Sequence, residues 1–332
     1  MGKLNKLISV LLLAMILFML SSCDYLSPKS NIENETEVSG DATHSVAVGF
    51  SQTGNQVGWR LAQTTSIVGE GEARGYKIVY TDAQEDTEKQ ITDVEEILKE
   101  GVDYLIFDPR EYEASAAALQ KAKDAKVPVI VVDRAVRGTP GVDYVTLIAP
   151  DFSWEAEQVA NWLKRAKGGK AKIVEITGTL GSSAMIDRQK GFGQVVDSEP
   201  GMEIIASENG NFIRSEAQKA MEKIIQTKPG QFDTIFVHND DMAIGVLQAL
   251  KSAGIMPGKD VMVIGIDGQK EAVQAIIDGE MACTVTCSPY YGPIVFDTIE
   301  KLIKGEFVEE NIIMQNYIID INNAKEELDK AF

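Results

Sequence analysis

The apolar runs of this chain end on unusually polar residues. One closes on Ser51-Gln52 and is followed by Trp59-Arg60; others run out into Asp133-Arg134, Thr177-Gly178, His238-Asn239-Asp240-Asp241 and Asp267-Gly268. An arginine fork donates two hydrogen bonds at once, a carboxylate accepts, and an asparagine does both, so the set suits polar recognition. Asp, Asn, Ser and Thr at such places also serve as helix N-caps, where they bond orphan N–H groups. Asp240, opening the helix around Met242 to Leu250, is assigned to capping on that ground. Arginine is no N-cap, so Asp133-Arg134 and Arg188 ask for another role.

Catalytic alternatives fail on detail. The loop Gly178-Thr179-Leu180-Gly181-Ser182-Ser183 follows a strand as a phosphate cradle would, but it has no Gly-Lys-Ser/Thr ending. Gly69-Glu70-Gly71 falls inside a helical segment, not just after a strand as a dinucleotide fingerprint requires. His44 lies in a polar leader and His238 stands alone, so no Ser-His-acid set forms. Asp240 and Asp241 are adjacent at a helix start and point apart, unlike the facing carboxylates of glycoside hydrolysis. Besides Cys23 there are only Cys283 and Cys287, about 13 Å apart if extended, too far for a disulfide. They read as buried free thiols. Two histidines and three cysteines build neither a zinc site nor a disulfide framework. No enzyme activity, metal or cofactor is expected.

The elements that must position these residues follow a βα rhythm with a period of roughly 25 to 30 residues. Strands are predicted over Val46–Phe50, Lys77–Tyr80, Tyr104–Asp108, Val129–Asp133, Lys172–Thr177, Glu203–Ala206, Thr234–Val237 and Val261–Asp267. Helical segments such as Thr87–Glu100 and Ser115–Ala125 lie between them. Near-continuous apolar strands such as Val129-Ile130-Val131-Val132 indicate a parallel sheet covered on both faces. Gly75, Gly101, Gly254 and Gly279 follow helical runs, and Pro128 opens a strand. In open α/β sheets ligands sit beyond the carboxyl ends of the strands, where the polar residues lie.

Composition, 44% hydrophobic and 25% charged, is that of an ordinary globular chain. The net charge of -18 and the absence of clustered Lys and Arg exclude nucleic acid as a partner. At the N-terminus Lys3 and Lys6 precede an apolar run from Leu7 to Leu20, shorter than the roughly 20 residues that span a bilayer, which reads as a signal peptide over 1–22. Leu20-Ser21-Ser22-Cys23 resembles a bacterial lipobox, which implies a lipid on Cys23 and a membrane-anchored protein outside the cytoplasm. The stretch 23–44 is polar and aperiodic and reads as a tether; its sequon at Asn34-Glu35-Thr36 carries little weight. Some 310 residues remain after the leader, roughly two domains' worth.

Taken together, several pieces resemble the type I periplasmic sugar-binding proteins. They are Val48-Gly49-Phe50-Ser51-Gln52 with Gly58-Trp59-Arg60, Val132-Asp133-Arg134, Glu175-Ile176-Thr177-Gly178-Thr179 with Ile186-Asp187-Arg188-Gln189-Lys190-Gly191-Phe192, Gly210-Asn211-Phe212-Ile213-Arg214, His238-Asn239-Asp240-Asp241-Met242 and Ile266-Asp267-Gly268. The pattern is most similar to the galactofuranose-binding branch, with Val237 in place of an alanine. The resemblance implies two similar doubly wound parallel-sheet α/β domains joined by a three-stranded hinge. The crossings are expected near Ile148-Ala149-Pro150, Cys287-Ser288-Pro289 and Asn316-Tyr317, giving one lobe of 45–148 plus 288–316 and a second of 149–287 plus 317–332. It also implies ligand contacts from Trp59, Arg60, Asp133 and Arg134 on the first lobe and Arg188, Phe212, Asn239 and Asp267 on the second.

A monosaccharide fits that set: its ring has apolar C–H patches for Trp59 and Phe212, and its rim has hydroxyls that both donate and accept. The implied partner is an ABC permease in the membrane, and a self-contained pair of domains is expected to be a monomer. A sensory role, with the closed form docking on a chemoreceptor or histidine-kinase ectodomain, is the other reading. One departure stands out: Cys287 occupies the crossing where ribose-type relatives place a glutamine. Tyr290 and Tyr291 follow it and are expected to pack the hinge.

Overall fold

Short β-branched runs alternating with amphipathic stretches set the architecture. The computed structural model describes residues 45–332. The expected signal peptide 1–22, Cys23, the tether 23–44 with its sequon, and His44 lie outside the described residues. The chain first builds β1 (Ala47–Gln52), α1 (Gly58–Ala73), β2 (Lys77–Asp82), α2 (Thr87–Lys99), β3 (Tyr104–Phe107), α3 (Ala116–Asp124), β4 (Val129–Val132) and β5 (Thr146–Pro150). It continues with α4 (Phe152–Lys167), β6 (Ala171–Thr177), α5 (Ser183–Asp197), β7 (Met202–Asn209), α6 (Arg214–Thr227), β8 (Thr234–Val237), α7 (Asp240–Ser252), β9 (Met262–Asp267), α8 (Lys270–Ile277) and β10 (Cys283–Thr286). It ends with α9 (Gly292–Ile303), β11 (Asn311–Met314), β12 (Ile318–Asp320) and α10 (Ala324–Glu327).

Two six-stranded sheets result, ordered β11-β5-β4-β3-β1-β2 and β12-β10-β9-β8-β6-β7. The first is parallel throughout, and the second is parallel except for β12, which runs antiparallel to β10. Each lobe therefore has the same doubly wound order, with its switch point between β1 and β3 or between β6 and β8. Alternation along the strands feeds two layers. In the first sheet Val48, Phe50, Ile106, Ile130 and Val132 face one core, while Ala47, Leu105, Phe107, Val129 and Val131 face the other.

The chain passes between the sheets three times: after Pro150, between β10 and α9, and between β11 and β12. β5, β10, β11 and β12 were not among the strands predicted. Strand bounds also shift: β1 runs on to Gln52 and β7 spans Met202–Asn209, whereas β3 and β4 stop one residue early and leave Asp108 and Asp133 just beyond them. Cys283 and Cys287 are free and buried. Among the described residues no helix is long and apolar enough to cross a membrane.

Helix starts fix the strand-end side chains. Asp151 caps α4 by accepting from the Trp154 N–H, and Ser182 caps α5 by accepting from the Met185 N–H. The assignment of Asp240 to capping is corrected: Asn239 caps α7, accepting from the Met242 N–H at 3.0 Å. Asp240 is the first helical residue and fully buried, and its carboxylate accepts from the Thr284 hydroxyl and the Gln269 N–H, each at 2.9 Å. Its neighbour Asp241 turns away to pair with Arg214 at 2.7 Å.

Candidate functional site

The eight residues expected to contact ligand all line one small cavity between the lobes, together with Val57, Phe152, Ala184 and Cys287. Each wall is made from the carboxyl ends of one lobe's strands and the helix starts that follow.

On the first lobe, Trp59 and Arg60 sit in the opening turn of α1. The Trp59 indole N–H donates to the Cys287 carbonyl at 2.7 Å, and its ring meets Tyr291 edge-on at 6.1 Å. Tyr291 is fully buried while Tyr290 is exposed, so it is Tyr291 that packs the crossing. Arg60 bonds Asp108 at 2.5 Å, Gln63 at 3.0 Å and Asp133 at 2.8 Å. Burial works against its charge, but Asp108 and then Asp133 outweigh it and hold the guanidinium charged. Much of its donor capacity thus goes to positioning Asp133. Arg134 has fewer partners: it donates to the Arg110 carbonyl at 3.1 Å, and its Nε meets no acceptor. Burial first, and Arg60 second, pull its pKa down to about 10.

On the second lobe, Arg188 of α5 donates through Nε (3.0 Å) and Nη2 (2.9 Å) to one oxygen of Glu155, and through Nη1 to the His238 carbonyl at 2.6 Å. Asp267 stands 3.6 Å from the same guanidinium. Burial pushes the Asp267 carboxyl up, Arg188 opposes, and Asp240 adds to the rise. The Asn239 carbonyl is committed to its cap, which leaves its amide N–H groups for the cavity. The Phe212 ring lies over Gly178, where a Cβ would come within 1.9 Å of it, so glycine is required there. Arg188 faces both Phe152, at 5.0 Å, and Phe212, at 5.9 Å.

Backbone strain gathers here too. Among the described residues seven non-glycines have positive φ, and four are Asp133, Asn211, Phe212 and Asp267. Such conformations cost on the order of 1–3 kcal/mol each and persist where surroundings over-determine them.

His238 does not stand alone: its Nε2 lies 3.1 Å from Glu175 Oε1, and its Nδ1 accepts from the Gly178 N–H at 3.4 Å. It is fully buried and holds the loop behind Phe212. Sequence reasoning missed Asp108 and Glu155, the two buried carboxylates that orient Arg60 and Arg188. Asp108 was legible only as a strand end. Glu155 had the look of an ordinary acidic residue in a helix's first turn.

Two wound lobes with a polar, aromatic-lined cavity between their strand ends are the architecture of a ligand-binding protein. A model of the periplasmic binding protein domain matches residues 46–307. The galactofuranose-binding protein of Escherichia coli is 35% identical over 86% of this chain and 91% of its own. The ribose import binding protein of Bacillus subtilis is 30% identical over 93% and 97%. Among solved structures, the periplasmic binding protein component of the arabinose ABC transporter from Shewanella sp. ANA-3, bound to L-arabinofuranose, superposes with a TM-score of 0.82 at 36% identity, covering 86% of this chain and 95% of that one. The chain belongs to this family, the type I periplasmic sugar-binding proteins of ABC-importer kind. Its relatives are substrate-binding proteins and not enzymes, and the family is extracytoplasmic.

Proposed function

We propose that this protein captures a monosaccharide, galactofuranose or a related pentose or hexose, by closing its lobes around it, and hands it to an ABC permease while a lipid on Cys23 holds it at the membrane. The observation that carries the reading is the convergence of Trp59, Arg60, Asp133 and Arg134 with Arg188, Phe212, Asn239 and Asp267 on one cavity. Trp59 and Phe212 offer faces to the sugar's C–H patches. The free donors of Arg134, Arg188 and Asn239 and the carboxylates of Asp133 and Asp267 answer its hydroxyls. A buried polar group left unanswered costs about 1–3 kcal/mol, so an analogue lacking the right hydroxyl is rejected.

Closure follows from the division of contacts. A ligand that bonds both lobes favours the arrangement in which both reach it, and only that difference drives the change. Direct bonds between the lobes support this: the Tyr112 N–H donates to the Gly181 carbonyl at 2.9 Å, and the Ala135 N–H to the Ser183 hydroxyl at 2.8 Å. The loop once weighed as a phosphate cradle acts in this reading as a latch. The three crossings serve as the hinge, and the domain pair works as a monomer.

The test is thermal unfolding of the full chain in detergent with D-galactose, methyl galactofuranoside, L-arabinose, D-ribose, D-fructose and a set of nucleosides. A ligand binding only the folded state raises the melting temperature according to its concentration over Kd. A large shift with one monosaccharide supports the reading. Silence across the sugars, with a nucleoside responding, overturns the substrate class.

A further inference from the structure

We propose that Glu155 is a positioning residue through which the three crossings between the lobes are tied to the cavity-lining Arg188. Its ligand half rests on the proposed sugar reading. Glu155 is fully buried in the first turn of α4, five residues beyond Pro150 and so directly after the first crossing. Its Oε1 accepts from the Asn316 side-chain amide at 2.8 Å, on the third crossing. Its Oε2 accepts both Arg188 bonds. One carboxylate thus stands after the first crossing, bonds the third and holds one guanidinium of the cavity, and the second crossing is tied to it through the third.

Charge neutralisation alone does not explain this arrangement. Arg188 has a second carboxylate, Asp267, at 3.6 Å, and the Asn316 bond adds nothing to its charge balance. The second and third crossings are also bonded to each other: the Thr286 N–H donates to the Tyr317 carbonyl at 2.8 Å, and the Tyr317 N–H to the Thr286 hydroxyl at 2.9 Å. Hinge motion turns a few torsions in such segments. Any change there alters the Asn316–Glu155 bond, and through Glu155 the direction in which Arg188 presents its remaining N–H groups. Occupancy of the cavity then biases the hinge, and the hinge angle biases the site by the same free energy.

The experiment uses the full chain and two variants. Asn316→Ala removes the half-buried hinge amide and leaves the buried ion pair intact, so it keeps the test open should Glu155→Gln fold poorly. A glutamine has one acceptor atom where the carboxylate uses two, so Glu155→Gln cannot accept from Arg188 and Asn316 through separate oxygens as Glu155 does. Without ligand, each variant is expected to speed hydrogen exchange at the Thr286, Cys287 and Tyr317 amides by at least about fivefold, the lower end of typical coupling. Amides of β6 and β8 should stay within about twofold, and the double variant should exceed Glu155→Gln by less than about twofold. Unchanged exchange at the crossings in Asn316→Ala, or acceleration spread evenly into β6 and β8, overturns the coupling. For the ligand half, stopped-flow Trp fluorescence follows release of D-galactose, L-arabinose or D-ribose. Asn316→Ala should release the bound sugar at least about threefold faster, and release at the wild-type rate overturns that half. If the wild type binds none of the three, the sugar reading and with it the ligand half fail, while the exchange result still decides the hinge coupling.

Discussion

The guanidinium of Arg134 on the first lobe lies 5.3 Å from the centre of the Phe212 ring on the second. Cation–π contacts of this kind reach about 2 kcal/mol when desolvated. Both partners are held in place from behind: Arg134 by the Arg110 carbonyl, and Phe212 by a left-handed backbone (φ 61°) that seats its ring over Gly178. The pair therefore bridges the lobes at the cavity wall.

Arg134→Ala is expected to weaken monosaccharide binding by more than about tenfold, the 1.4 kcal/mol scale of one lost buried polar contact. The protein should stay folded without sugar, losing no more than about 2 kcal/mol for the cation–π contact with Phe212, because burial and Arg60 both already work against the Arg134 charge. Arg134→Lys should not restore affinity, since an ammonium cannot reproduce the planar fork over the ring. Titration calorimetry beside unliganded melting curves checks both. Wild-type affinity in Arg134→Ala would remove this residue from the site.

Ser183→Ala takes away the acceptor of the Ala135 N–H without altering the cavity's polar contacts. One hydrogen bond is worth about 0.5–1.5 kcal/mol net, so sugar affinity should fall by roughly two- to tenfold. The loss should appear in the dissociation rate, because the bond forms only once the lobes meet. Surface plasmon resonance separates the two rates. A slowed association with unchanged dissociation would contradict the latch.

What the sequence revealed was which polar residues come together at the cavity, and what it hid was their support. Asp133, Asn239 and Asp267 announce themselves because a polar residue ends an apolar run, and parallel sheets bring such ends together. Glu155 gives no such signal: a glutamate in a helix's first turn is ordinary, and its burial follows from how α4 sits against the crossings, which no local pattern encodes. Edge strands β11 and β12 hid for another reason. They are three or four residues long and half-exposed, and they lie outside the βα rhythm because their job is to carry the chain between lobes. Asp240 misled because Asn239 and Asp240 are both good caps in sequence, and only the backbone places Asn239 in the extended conformation that capping needs.

Cys23→Ala tests the proposed anchor. Dual acyl chains bury hydrocarbon at about 0.8 kcal/mol per CH₂, enough to retain an otherwise soluble domain. The variant should leave the membrane fraction when expressed in a bacterial host, whereas the wild type stays. Fractionation with blotting reads the outcome, and unchanged retention of the variant would count against lipidation at this cysteine.

His238 should make stability fall on mild acidification. Burial is the main force that lowers its pKa; Glu175 opposes, and Arg188 pushes it lower still. The folded protein therefore keeps the ring neutral at pH values where the unfolded chain, titrating near the ordinary 6.5, has begun to take up a proton. With more protons bound to the unfolded state, unfolding free energy rises with pH through this window and is lost as pH falls below about 6.5, at no more than about 1.4 kcal/mol per pH unit. Buried Asp240 and Glu155 act in the opposite sense, since burial raises their pKa values and the folded state takes up their protons first. The quantity to follow is thus the difference between wild type and His238→Gln in urea unfolding, measured without ligand from pH 7.5 to 5.5. That difference should shift steadily against the wild type as pH falls, whatever constant offset the substitution brings. A flat difference would mean that His238 takes up its proton equally in both states, and that burial does not hold the ring neutral against the pull of Glu175.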